Sequence, residues 1–237
     1  MRRPRLIGLT GLSAFGLIIV ATFVSPPLWN APATNAPAAR VSAYAQQHNG
    51  RIVAGLLIFS LAVGLLLCFL AGLWALLREH DRPPHALSSL FAFGAVAFTV
   101  MVLAGFVPIY VLSYRAQPAS VAGPLGDLGF GLLALSGIPT AVCLAAYAAL
   151  VIWRRCLPIW TAWMAIGAAL AHDLVAASFV SHGSFLSVEG SVIVWVPATL
   201  FAWILATSAA LLRTRFEVSL STGTPLRAGI ADPAQSP

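Results

Sequence analysis

The chain has 237 residues, of which 59% are apolar and only 8% charged. Soluble domains carry roughly 25% charged residues, so the composition excludes a soluble globular fold and puts the chain in a membrane. The formal charge is +6 and every basic residue is an arginine, yet these arginines sit at the ends of apolar segments. That placement excludes the single basic face of a nucleic-acid binder. Arginine without lysine, together with many alanines, is the habit of a GC-rich bacterial genome.

A transmembrane helix needs about 20 mostly apolar residues to cross a hydrocarbon core of roughly 30 Å. Six segments qualify: 6–24, 52–77, 86–111, 128–153, 157–180 and 192–212. All are continuously apolar and lack the alternation of barrel strands. The expected fold is therefore an all-α polytopic transmembrane bundle of six helices over residues 1–215, with a polar, disordered cytoplasmic tail over 216–237.

The first segment follows Arg2, Arg3 and Arg5 and precedes Ala31-Pro32-Ala33, which resembles a signal-peptide cleavage site. A signal core runs about 7–15 residues. Segment 6–24 is longer, so an uncleaved helix is expected. The loop over 25–50 begins with irregular Pro-, Ala- and Asn-rich sequence and ends in a short helix over 41–48, with Val41, Tyr44 and Ala45 on one face. A plain amphipathic lead-in to the second span is expected there, rather than a docking element.

The second and third spans are joined by Arg78-Glu79-His80-Asp81-Arg82-Pro83-Pro84-His85. His80, Asp81 and His85 have the residue types of a metal site, but histidines in a charged turn are ordinarily just hydrated, and no metal is expected. Gly123, Gly126, Gly129 and Gly131 are expected to loosen the start of the fourth span, and Pro108, Pro139 and Pro197 each remove a helical hydrogen bond and invite a kink. The turn into the fifth span, Arg154 to Trp160, places a proline where its missing N–H costs nothing. Trp153, Trp160 and Trp163 form an interfacial anchor beside it. Cys68, Cys143 and Cys156 are expected to be small packing residues, without a disulfide.

Counting arginines orients the bundle. With the N-terminus inside, Arg2, Arg3, Arg5, Arg78, Arg82, Arg154, Arg155, Arg213, Arg215 and Arg227 face the cytoplasm. Only Arg40, Arg51 and Arg115 face out. Both termini are therefore expected in the cytoplasm, in the cytoplasmic (inner) membrane of a bacterium.

The six-span plan, the short helix before the second span and the Arg155-Cys156-Leu157-Pro158-Ile159-Trp160 start of the fifth resemble a group of uncharacterised six-span integral membrane proteins common in actinobacteria. The resemblance covers residues 1–215. The group has no established activity, so the resemblance implies the fold and no mechanism.

Chemistry has few places to sit. His172-Asp173 is the only ionisable pair within a span, and such residues normally face protein or water. Asp173 lies sixteen residues beyond Leu157, about 24 Å along the helix axis, which is the outer third of the bilayer. On a helical wheel His172 falls among Ala165, Ala169 and Ala176, away from Trp163, Ile166, Leu170 and Leu174. It is expected to face the bundle, with Asp173 on the flank of that small face. The same side of the membrane should hold His48, Arg51, Arg115, Asp127, His182 and Glu189.

His172, Asp173, Arg51, Arg115, Asp127 and Glu189 are thus the candidate binding residues of an outward-facing polar pocket, with His172 and Asp173 as its floor. The plainer reading pairs Arg51 or Arg115 with Asp173 or Asp127 and gives His172 one interhelical hydrogen bond, typically about 0.6 kcal/mol in membranes. No catalytic signature is present: there is no His-Glu-x-x-His, Gly-x-Ser-x-Gly or phosphate loop. No catalytic residue and no cofactor is expected. The expected function is a non-catalytic membrane protein that binds a ligand or stabilises another membrane protein or oligomer. Alternatives are a small-solute transporter or channel, which needs a polar path through both halves, and a lipid-acting intramembrane enzyme using His172 as base and Asp173 as its orienter.

Overall fold

The computed structural model describes residues 3–32, 36–176, 179 and 192–213. His182, Glu189 and the tail beyond 213 lie outside the described residues. Among the described residues all regular structure is helical: α1 Arg3–Val24, α2 Pro26–Trp29, α3 Ala38–Gln47, α4 Asn49–His80, α5 Ala86–Tyr114, α6 Ala119–Leu135, α7 Gly137–Arg154, α8 Ile159–Ala176 and α9 Val192–Arg213. Five helical stretches are long and apolar enough to cross a membrane: Arg3–Val24, Asn49–His80, Ala86–Tyr114, Ala119–Arg154 and Trp195–Arg213. The apolar run Ile159–Val175 in α8 is shorter.

The long helices form a ring in chain order. α1 packs on α4, α4 on α5, α5 on α6 and α7, α7 on α8, α8 on α9, and α9 closes on α1. Small residues set these approaches, because lipid is as apolar as leucine and close packing must hold membrane helices together. A Cβ on Gly94 of α5 would sit 2.9 Å from the Pro139 oxygen and the Cys143 nitrogen of α7. Gly8 of α1 lies equally close to the Ser208 carbonyl of α9. Gly11 lets α1 settle against Ser208 and Phe69.

The fourth span begins earlier than its hydropathy indicates, at Ala119 behind the N-cap Pro118. The glycines expected to loosen it are instead its contact surface. A Cβ on Gly129 would meet Ile109 of α5 at 2.9 Å, and one on Gly126 would meet Val41 of α3 at 3.7 Å. The joint between α6 and α7 falls at Ser136. Its hydrogen-bond ladder runs through, with Ser136 N donating to Leu132 O at 3.0 Å and Thr140 N to Ser136 O at 3.2 Å. Pro139 removes the N–H that Leu135 O would accept, which accounts for a joint at this point. Pro108 and Pro197, in contrast, lie inside the continuous helices α5 and α9.

α3 is a docking element, unlike the plain lead-in expected. Ser42 Oγ donates to Gln117 O at 2.7 Å, Gln46 Nε2 to Leu112 O at 3.2 Å and Tyr44 Oη to Pro27 O at 3.1 Å. These bonds tie α3 to the α5–α6 connection, to the end of α5 and to α2, and the one to Leu112 gives a partner to a carbonyl that the helix end leaves open.

The arginine-rich end of the ring, with Arg3, Arg78, Arg154 and Arg213, is densely packed. Phe69, Tyr147, Trp203 and Phe91 are fully buried there, and the Tyr147 and Trp203 rings meet edge to face at 5.1 Å. The Tyr147 hydroxyl donates to Thr161 Oγ1 at 2.8 Å, Thr161 Oγ1 donates to Pro158 O at 2.7 Å, and Thr207 Oγ1 lies 3.5 Å from the tyrosine oxygen. One side chain on α7 thus links α8 and α9.

Two turns at this end have their own logic. Asp81 Oδ2 accepts the Ser88 N–H at 2.9 Å, capping the first turn of α5 from the preceding loop. Burial pushes its carboxyl up, but the bonds from Ser88 outweigh this and hold it below the usual carboxylate value. His80 Nδ1 donates to Leu76 O at 2.9 Å. Arg155 ends α7 in the left-handed region at φ 50°, a C-cap conformation ordinarily taken by glycine. Cys143 is buried and Cys156 half-buried, whereas Cys68 is exposed on the outer surface of α4. The expectation that Cys68 is a packing residue fails because the outside of a membrane helix is as apolar as its inside.

Candidate ligand cavity

The other half of the ring is hollow. A cavity of about 420 Å³ runs from the α2–α3 end towards mid-bundle. Its wall on α4 extends from Ile52 to Leu66, fourteen residues, or about 21 Å at the helical rise. Ligand pockets typically hold roughly 300–1,000 Å³, so the space suits a small molecule or one long chain.

Helix geometry explains why the space exists. Towards the arginine-rich end, α4 and α7 touch across the ring, and the large side chains Phe69, Tyr147 and Trp203 fill the centre. Beyond the α6–α7 joint, α6 turns to α5 and α3, and the centre is left to Leu56, Val63, Phe106 and Ile109 around the rim of the void. α2 and α3 lie over its far end, where Pro27, Trp29, Val41 and Tyr44 line it.

The lining is apolar apart from a few groups. Tyr44 and Ser113 line the upper part, and Ser136 and His172 the lower. His172 is 6% exposed. It lies thirteen residues beyond Ile159, about 20 Å from the arginine-rich end of α8. Leu66 is fourteen residues before His80 and Leu200 thirteen before Arg213, so both lie at about the same level, and all three line the cavity. His172 therefore belongs to its floor. Its position among Ala165, Ala168 and Ala169, all buried, is what turns the imidazole inward.

His172 Nδ1 lies 2.8 Å from Ala168 O. A carbonyl can only accept, so Nδ1 carries the proton. In a neutral imidazole the other nitrogen is then a bare acceptor. Ser136 Oγ donates to Leu133 O at 2.6 Å, which leaves it as an acceptor too. Ser113 Oγ is buried without a hydrogen-bond partner.

The remaining candidate residues do not converge on this space. Asp173 is exposed, one position round the helix from His172, and does not line the cavity. Arg51, Arg115 and Asp127 are exposed as well. The Arg115 guanidinium lies over the Tyr114 ring at 5.9 Å. Among the described residues, Arg51, Arg115, Asp127 and Asp173 form no ion pair. Glu189 lies outside the described residues. A pocket lined by charge was expected and the observed one is apolar. Charged side chains at helix ends can stay hydrated, and moving them inward would cost their desolvation.

The sequence reading missed most of what shapes the site: the α3 dock, the aromatic plug and the void itself. Tyr44 was read only as part of one face of an amphipathic lead-in, and it lines the cavity with its hydroxyl donating to Pro27 O. Among the described residues no group of three His, Cys, Asp or Glu is arranged to hold a metal ion. No family model, no curated protein and no solved structure matches this chain.

Proposed function

We propose that this chain is a non-catalytic, six-span protein of a bacterial cytoplasmic membrane that holds an apolar ligand, with both termini in the cytoplasm and the cavity in the outer half. The arginine distribution supports the orientation, and the apolar α8 supports a sixth span beside the five longer stretches. The motifs shared with the actinobacterial six-span group support kinship with it. The single observation that carries the function is the 420 Å³ apolar cavity beneath α2 and α3. An empty space of this size would forfeit the dispersion contacts of its whole lining, and a lipid chain from the surrounding bilayer restores them.

The alternatives draw less support. A channel needs a polar path through both halves, and the arginine-rich half is filled by Phe69, Tyr147 and Trp203. An enzyme using His172 with Asp173 as orienter needs them to act together, yet one faces the cavity and the other the exterior.

The test is gentle purification, solvent extraction and mass spectrometry of what accompanies the protein, set against Val102→Trp. Val102 lines the cavity and an indole there would fill its middle. A stoichiometric apolar compound with the wild type, lost from a folded V102W, is the expected result. Equal recovery from both proteins would refute cavity binding.

A further inference from the structure

Resting on that reading, we infer that the cavity selects a long-chain lipid alcohol, bound with its hydroxyl at the floor and donating to His172 Nε2. Ala168 O fixes the proton on Nδ1, so the ring can offer only a lone pair at Nε2 while it stays neutral. Charging the ring would place a cation at the floor of an apolar space, and among the described residues no carboxylate lines it. Asp173 is exposed, one position round α8 from His172. From the other helices at this level, the floor receives Leu66, Phe98, Ser136, Gly137 and Leu200, none of them ionisable.

Nε2 has no hydrogen-bond partner among the described residues. The Ser136 hydroxyl cannot supply one while its proton is held by Leu133 O. An acceptor that faces an apolar space without a donor costs free energy, and a hydroxylated ligand in the cavity would supply that donor. A ligand hydroxyl meets the need at once, and the apolar wall above it takes the chain. An ionised carboxylate or phosphate dianion brings acceptors and charge but no donor, a protonated acid first pays to give up its charge, and a hydrocarbon leaves Nε2 unpaired. A headgroup of that kind could enter last, near Tyr44 and Ser113, but would do nothing for the floor. The class left is neutral, single-chain and hydroxylated at the buried end.

The experiment compares three probes of one length on the purified wild type and on His172→Phe: hexadecanol, its methyl ether and hexadecane, read by native mass spectrometry or calorimetry. One hydrogen bond is worth about 0.5–1.5 kcal/mol, so hexadecanol should bind the wild type roughly two- to twelvefold more tightly than either other probe. H172F should bind all three alike. Should that variant not fold, the ¹⁵N resonance of His172 Nε2 in the wild type should shift with hexadecanol and stay put with the ether. Equal affinity for the three probes, a preference that survives in H172F, or an Nε2 resonance that ignores hexadecanol would each overturn the assignment while leaving apolar binding intact. Binding of none of them would overturn the assignment and the proposed function together.

Discussion

The two halves of this ring are built from the same apolar alphabet and are packed in opposite ways. Towards the arginine-rich end, aromatic rings fill the centre and Tyr147, Thr161 and Thr207 join three helices. Towards the α2–α3 end, leucines, valines and phenylalanines of similar character stand around a void. Composition does not decide between a plug and a pocket. What decides is where the large flat side chains fall and where α6 leaves the centre. The packed half is read as scaffold and the hollow half as the place of binding.

The sharpest way to break this contrast is to remove the plug. Trp203 is fully buried, and Trp203→Ala should cost about 3–5 kcal/mol, seen as a large drop in thermal unfolding temperature in detergent. A drop no larger than that of a lipid-facing substitution such as Phe93→Ala would deny the plug its role.

A paired test on one helix comes next. Leu73 and Leu56 both lie on α4 and are equally buried, at 0% and 1% exposed. Leu73 meets the packed core, whereas Leu56 lines the cavity. Leu73→Ala should cost about 2–5 kcal/mol, and Leu56→Ala should fall at or below the lower end of that range, because a side chain beside a void has fewer neighbours to lose. Equal losses would mean that the two halves are packed alike.

Two smaller effects concern the scaffold. Asp81→Ala removes the cap on α5 and should cost about 0.5–2 kcal/mol. Since the folded carboxyl lies below its ordinary value, the stabilisation is complete above the unfolded pKa and fades as pH falls through the folded one. The D81A deficit in a pH series of unfolding midpoints should therefore shrink only in acid. Tyr147→Phe should cost less, roughly 0.6 kcal/mol for one intramembrane hydrogen bond. A deficit of several kcal/mol would show that the hydroxyl organises more than the two threonines.

The all-helical character and the long apolar helices were legible in the sequence because length and hydropathy report directly on the solvent. The inward turn of His172 was legible too, through the alanines that share its face. Other features were hidden for one physical reason. In a membrane the outward and inward faces of a helix are both apolar, so hydropathy cannot tell the exposed Cys68 from the buried Cys143. The glycines of α6 were taken for looseness because their partners, Ile109 and Val41, lie far away in the chain. Tyr147 gave no local sign of its threonines, which stand 14 and 60 residues away. A void leaves no residue to read.

The most direct measurement of the central claim is saturation binding of a fluorescent apolar probe, 1-aminoanthracene, to purified protein, followed by titration with hexadecanol. Saturation at one probe per chain, displacement by the alcohol and loss of the site in V102W, with Y147F unaffected, is the predicted result. Probe uptake that never saturates, or that is the same in V102W as in the wild type, would contradict the account.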